Sequence, residues 1–160
     1  RVHGRADINA FFKNRSEDDS FRYLKKGQIV VPLFDENGEL VNLQIIYNTG
    51  NKAFLKHGRV SGCYHLVGEV PDQTEVLAFA EGYATAASIH AATGWPVAVT
   101  FHCGNIPPVV RLFRSRFPDL KFVIAADDDS ATKNAGELKA REAANECGAA
   151  VALPVFSGVA

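Results

Sequence analysis

Between Gln28 and Val67 apolar residues come in short runs broken by turn residues: Ile29-Val30-Val31 with Leu33-Phe34, then Leu40 to Tyr47, Lys52 to Leu55 and Cys63 to Val67. Asn37-Gly38 separates the first two runs, and this dipeptide favours a hairpin because both residues accept positive φ. Asn48-Thr49-Gly50-Asn51 supplies a second turn. The pattern predicts a small antiparallel meander. Upstream, residues 5–24 mix polar and aromatic positions. Phe11, Phe12, Phe21, Tyr23 and Leu24 suit one or two short helices there, with Asp18 or Ser20 capping the second.

At Pro71-Asp72-Gln73 the pattern changes, and Pro71 marks the expected boundary between a module at 1–70 and a domain at 71–160. A strand over Val76 to Ala80 leads into an alanine-rich helix from about Tyr83 to Ala92, closed by Gly94. Small residues there allow close packing of helix on sheet. Val97 to Phe101 reads as the next strand. Gly104-Asn105 opens a second helix, with Pro107 and Pro108 in its first turn, where a missing N–H does no harm. Val110, Phe113 and Phe117 fall at helical spacing, and Pro118 ends the helix. A strand over Phe122 to Ala126 follows. Ala140, Ala143, Ala144 and Cys147 then recur at i, i+3, i+4 and i+7 ahead of Gly148, and Ala149 to Val155 makes a last strand. The alternation βαβαβαβ implies right-handed crossovers and a parallel sheet with helices on both faces.

Two of these strands end in acid. V-L-A-F-A-E closes on Glu81, followed by Gly82, and V-I-A-A-D-D-D closes on Asp127, Asp128 and Asp129. Side chains alternate along a strand, so extended geometry puts Asp127 and Asp129 on one face and Asp128 on the other. In a parallel sheet the carboxyl ends of the strands form the usual ligand edge, which gathers Glu81, Asp127 and Asp129 along it. Carboxylates so placed repel one another unless a cation sits between them. The simpler alternative is a solvated acidic loop that caps the following helix.

Composition narrows the picture. With 47% hydrophobic residues in 160, the chain can build a real core. No apolar run approaches the roughly 20 residues of a membrane span, and no signal-peptide pattern opens the chain; a cytoplasmic protein is expected. The chain starts at Arg1 and contains no methionine, so a piece of a longer polypeptide is expected too. Cys63, Cys103 and Cys147 are few and scattered, which fits buried thiols and neither a disulfide framework nor a zinc site. Net charge is −1, but residues 1–70 carry ten Lys and Arg against eight acids, and residues 71–160 seven against ten. That asymmetry suits a phosphate track beside a metal site.

The acidic motifs carry a family resemblance. Glu81-Gly82 at one strand end and Asp127-x-Asp129 at another, with Gly136 downstream, resemble the Toprim domain of bacterial-type primases, topoisomerases and some nucleases. The match spans about residues 74–155. E-G-Y-A-T-A-A at 81–87, Gly104-Asn105, the Phe117-Pro118-Asp119 helix end and D-D-D-S-A-T-K-N-A-G at 127–136 resemble the plasmid and phage primase branch. So does the preceding V-P-L-F-D-E-N-G-E-L-V-N-L-Q at 31–44 with Gly50-Asn51-Lys52. The stretch from Asp129 to Gly136 is longer than in many Toprim domains, and the insert Ser130 to Asn134 bears on substrate access.

The resemblance implies an α/β fold, a Toprim-like parallel sheet flanked by helices and preceded by a small basic α+β module with an antiparallel meander. It implies a DNA primase catalytic core: a nucleotidyltransferase, acting as a DNA-directed RNA polymerase, that makes short RNA primers on a single-stranded DNA template from ribonucleoside triphosphates. Glu81, Asp127 and Asp129 are the expected catalytic residues, and the same three with Asp128 the expected ligands of Mg²⁺ or Mn²⁺. Glu81 is either a general base or a metal ligand. A replicative helicase, fused or separate, is the expected partner. Lys52, Lys56, Arg59, Gly82 and Asn105 are candidates for binding nucleotide or nucleic acid. Lys52, Lys56 and Arg59 read equally well as ordinary surface charge, and Asn105 reads more simply as a helix cap. Arg111 and Arg114, opposite the apolar face of their helix, read as solvated. A Toprim nuclease, or a non-catalytic nucleic-acid-binding module, is the alternative function.

Overall fold

The computed structural model describes residues 26–126 and 135–154. The expectations for residues 5–24, for the triplet Asp127, Asp128 and Asp129, for the insert Ser130 to Asn134 and for Val155 lie outside the described residues. The chain divides into two compact units, Arg1–His65 and Leu66–Ala160.

In the first unit β1 (Ile29–Phe34), β2 (Leu40–Ile46) and β3 (Lys52–Phe54) form a three-stranded sheet in the order β1-β2-β3. Both pairings are antiparallel, with Val31 opposite Gln44 and Ile45 opposite Ala53. Leu43, Ile45 and Leu55 form a core on which Val30, Leu40 and Tyr47 pack. The β1–β2 hairpin falls at Asn37-Gly38 as expected, but only Gly38 takes positive φ, at 78°. The cause is the neighbouring Asp35: its buried carboxylate accepts the N–H groups of Asn37 (2.8 Å) and Glu39 (2.9 Å). That side chain replaces the tight two-residue turn with a wider loop.

The second unit holds a five-stranded sheet of β4 (His65–Val67), β5 (Val76–Ala80), β6 (Val97–Val99), β7 (Lys121–Ala125) and β8 (Ala149–Ala152), in the order β4-β6-β5-β7-β8. Pairings β5–β6, β5–β7 and β7–β8 are parallel. The run expected to end the meander divides in two. Tyr64 bridges Phe34 of β1 in antiparallel fashion, donating its N–H to the Phe34 carbonyl (2.9 Å) and accepting the Phe34 N–H (2.8 Å), while His65–Val67 edges the five-stranded sheet. The compact units part between His65 and Leu66, a few residues before the expected boundary at Pro71.

Among the described residues three helices connect the strands: α1 (Tyr83–Thr93), α2 (Ile106–Arg116) and α3 (Ala135–Cys147). Strand alternation sorts them onto two faces. Ala78 and Ala80 turn one way and, with Val97 and Val99, pack against Ala86 of α1, so small residues meet on both sides of that contact. Phe79 turns the other way, with its ring centroid 5.7 Å from Phe113 of α2 and 5.0 Å from Phe122, both edge-on. On α3 the expected positions Ala140, Ala143 and Ala144 are buried. The helix ends fall where the sequence puts them. Gly94 and Gly148 take positive φ, of 73° and 65°, just past α1 and α3.

Candidate active site at the sheet's carboxyl edge

β5 and β7 lie side by side in parallel, with Ala80 opposite Ala125. The chain leaving β5 returns as β6 on one side of it, and the chain leaving β7 returns as β8 on the opposite side. Adjacent strands whose connections depart in opposite directions leave a crevice at their carboxyl ends, where open α/β sheets bind ligands. Glu81 stands at that point on β5. Its Oε1 is fully withdrawn from solvent while the residue as a whole is half-buried. Register puts Ala126 level with Glu81, and Ala126 N–H is held by the Ala152 carbonyl at 3.0 Å. The acidic triplet begins one residue further along the chain.

Gly82 is the N-cap of α1, with φ −101° and ψ 145°, and its carbonyl accepts Ala86 N–H at 3.0 Å. It has no side chain to satisfy the first-turn N–H groups, and no acidic residue occupies that turn. The positive end of the α1 dipole therefore lies at the same edge as Glu81.

Asn105 does something other than cap. It occupies the N-cap position of α2, yet no side-chain capping bond forms. Its side chain is 1% exposed, and Nδ2 donates to the Thr100 carbonyl at 2.9 Å. Thr100, fully buried at the end of β6, donates its own N–H (2.9 Å) and, more weakly, its hydroxyl (3.4 Å) to the Ala80 carbonyl. Asn105 thus fixes Thr100, and Thr100 fixes the peptide that leads into Glu81. The only sequence signal for Thr100 is a hydroxyl closing the apolar run Val97-Ala98-Val99. Directly after it, Phe101 sits at φ +71°, a left-handed conformation that a bulky side chain adopts only when its surroundings compel it. The strand expected to reach Phe101 therefore ends at Val99, and Cys103–Asn105 forms a 3₁₀ turn into α2.

The basic candidates lie on the first unit. Lys52 opens β3 opposite Ile46 with its side chain exposed, and Lys56 is exposed in the loop after it. Arg59 is committed locally: a terminal nitrogen pairs with Glu36 at 2.6 Å, and Nε donates to the Ser61 carbonyl at 2.9 Å. That hydrogen bond to Glu36 is the main reason its pKa is raised. The structure therefore brings Glu81, Gly82 and Asn105 to one edge, and sets Lys52, Lys56 and Arg59 on a separate unit. Among the described residues no group of three His, Cys, Asp or Glu side chains is placed to hold a metal ion.

Arg114 departs furthest from its expected role as a solvated residue. Its Nε donates to the Cys147 carbonyl (2.9 Å), and Nη1 donates to those of Pro118 (2.9 Å) and Leu120 (2.8 Å), with a longer contact to Phe117 (3.4 Å). The guanidinium lies 3.7 Å from the centroid of the Phe122 ring. One side chain ties the end of α2 and the entry to β7 to the end of α3.

A DNA primase TraC of Escherichia coli is 36% identical over 134 residues, covering 79% of this chain. The chain is homologous to a segment of DNA primase TraC. A second TraC from the same species is 34% identical over the same length. The chain spans only 13% and 9% of these two relatives. No family model matches. Among solved structures, the primase fragment of the bacteriophage T7 primase-helicase protein superposes with a TM-score of 0.59 at 16% identity, over 81% of this chain and 54% of that one. The T7 lagging-strand polymerase complex, with gp4 primase domains on an RNA/DNA hybrid, gives 0.54 at 15% identity, over 82% and 66%. At such identities the likeness speaks for the mixed α/β fold.

Proposed function

We propose that this chain is the catalytic core of a DNA primase with a Toprim-type site, making short RNA primers on single-stranded DNA from ribonucleoside triphosphates. The observation that carries the reading is Glu81 at the crevice between β5 and β7, one strand away from the point where the chain runs on into Asp127, Asp128 and Asp129. Homology to TraC supports the same activity. The T7 primase-helicase likeness makes a replicative helicase, fused or separate, the natural partner. A primase acting on replicating DNA would work in the cytoplasm. No helix among the described residues is long and apolar enough to cross a membrane.

The donor set fits a divalent cation. Carboxylate oxygens are hard ligands, and Glu81 already presents one oxygen inside the protein. Asp127 and Asp129, with Glu81 and Asp128 beside them, would hold Mg²⁺ or Mn²⁺. A cation there would lower the pKa of the attacking 3′-hydroxyl and offset charge on the phosphoryl group. The chain's own contribution is positional. The N-terminus of α1 at Gly82 offers N–H groups to a nucleotide phosphate. Asn105 and Thr100 hold the peptide that leads into Glu81, and Lys52 and Lys56 supply positive charge for nucleic-acid backbone, while Arg59 would have to leave Glu36 to do so.

The test is incorporation of labelled ribonucleotides on single-stranded DNA with Mg²⁺ or Mn²⁺. Asp127→Asn and Asp129→Asn are each expected to abolish primer synthesis with unchanged circular dichroism. Full synthesis by either variant would sink the assignment, and so would nicking of supercoiled plasmid by a chain that incorporates no nucleotide.

A further inference from the structure

At the opposite edge of the same sheet, by the amino ends of β5 and β6, the second unit contains a cavity of about 480 Å³. Its walls include Pro71, Pro96 and the Trp95 indole, and Glu69 and Glu75 stand at it as exposed carboxylates. Trp95 is 36% exposed, one of few large apolar side chains in the described residues to be so. The pocket is built rather than incidental. His90, also in its lining, donates from Nδ1 to the Trp95 carbonyl at 2.7 Å, which fixes the loop that carries the indole. The His90 ring in turn lies against Gly68 so closely that a Cβ there would meet it at 2.6 Å. Among the described residues neither Glu69 nor Glu75 has an ion-pair partner.

We infer that this pocket docks a basic segment of a partner protein, taking a lysine or arginine side chain. Apolar walls suit the aliphatic stem of such a side chain, and the carboxylates and the face of the indole suit its charged head. The same carboxylates repel phosphates, which disfavours nucleic acid at this edge. The geometry separates the two edges of the sheet: Glu81 at one, a cation-accepting pocket at the other. The inference stands whether or not the chain makes primers.

Trp95 is the single tryptophan in the sequence, so its emission reports on the pocket directly. The 160-residue chain is titrated at low salt with an amidated hexa-arginine peptide, with spermidine and with oligothymidylate. The expected result is a saturable change in emission with the peptide, weakened about tenfold or more in the double variant Glu69→Gln, Glu75→Gln, whose circular dichroism stays unchanged. Absence of a saturable change overturns the proposal, as does unaltered affinity in the double variant. Spermidine matching the peptide would make this a small-cation site, and oligothymidylate matching it would make it a nucleic-acid site; either outcome also overturns it.

Discussion

Replacing Arg114 by alanine tests how much one side chain contributes where three segments meet. The variant removes three short hydrogen bonds to carbonyls, those of Cys147, Pro118 and Leu120, and the stacking on Phe122. A hydrogen bond to a charged donor contributes about 1.5–3 kcal/mol, and a cation over an aromatic face about 1 kcal/mol. Simple addition overshoots, because the bonds share one group and water replaces part of them at the half-exposed carbonyls. A loss of about 3 kcal/mol is therefore expected, or a fall of about 6–12 °C in Tm for a chain of this size. The assay is urea unfolding followed by circular dichroism, on Arg114→Ala beside Arg114→Lys and Arg114→Met. Lysine keeps the charge but offers a point donor in place of the planar fork, so it should recover less than half of the loss. Methionine keeps the packing over Phe122 and should recover less again. A midpoint for Arg114→Ala within about 1 kcal/mol of the parent would refute the clamp. Full recovery by lysine would show that charge alone matters.

Three more outcomes follow from packing and ionisation. Gly58→Ala should cost about 2 kcal/mol or more, measured by thermal unfolding, because the new Cβ would meet the Asn42 side chain at 2.3 Å, and Asn42 is buried and bonded to the Arg59 carbonyl. Asn105→Ala leaves the Thr100 carbonyl without its buried donor and should destabilise by about 1–3 kcal/mol; it should also depress primer synthesis at saturating nucleotide, which a purely structural role would not do once the variant is assayed well below its Tm. Burial pushes the Cys63 thiol above its usual pKa of 9.0, with Arg59 opposing. The folded state then holds the proton more tightly than the unfolded one, so this group's contribution is intact below pH 9 and declines as pH rises from there towards the raised value. Urea midpoints at pH 8 and pH 10 should differ less in Cys63→Ala than in the parent, and a thiol reagent should modify Cys63 slowly at pH 8.

The periodic parts of the chain were legible because burial acts on every residue of a helix or strand. Ala140, Ala143 and Ala144 face inward as their spacing requires, β5, β6 and β8 fall within the apolar runs, and β7 starts one residue earlier, at Lys121. What escaped was non-periodic. Arg114 sits on the polar side of α2, where a solvated arginine and a clamp look alike in sequence, since its acceptors are main-chain carbonyls that any residue supplies. The β1–β2 hairpin was legible in Asn37-Gly38, but the part played by Asp35, whose side chain satisfies N–H groups two and four residues ahead, was not. The run from Cys63 to Val67 divides between two sheets, Tyr64 pairing with Phe34 and β4 edging the second sheet, and so short a strand carries no information about its neighbour.

The same distinction separates the acids of the candidate site from what positions them. Glu81 is conspicuous in sequence as a charge at the end of an apolar run, but its own strand does not fix it alone. The peptide before it is held by Thr100, on the neighbouring strand, and Thr100 by Asn105, which gives up the capping role its position suggests. Between those two residues the backbone reverses through Phe101 at positive φ, at a cost of order 1–3 kcal/mol, which neighbouring contacts must outweigh. Phe101 packs on the Ala78, Ala80, Val97 and Val99 cluster, the core under α1. Strain at this edge is thus tied to the packing of the face below it. Phe101→Gly and Phe101→Ala remove the same packing, but only glycine relieves the left-handed strain, so the glycine variant should be more stable than the alanine variant by about 1 kcal/mol in urea unfolding. If alanine is the more stable of the two, Phe101 carries no strain, and the edge beside Glu81 is relaxed rather than held.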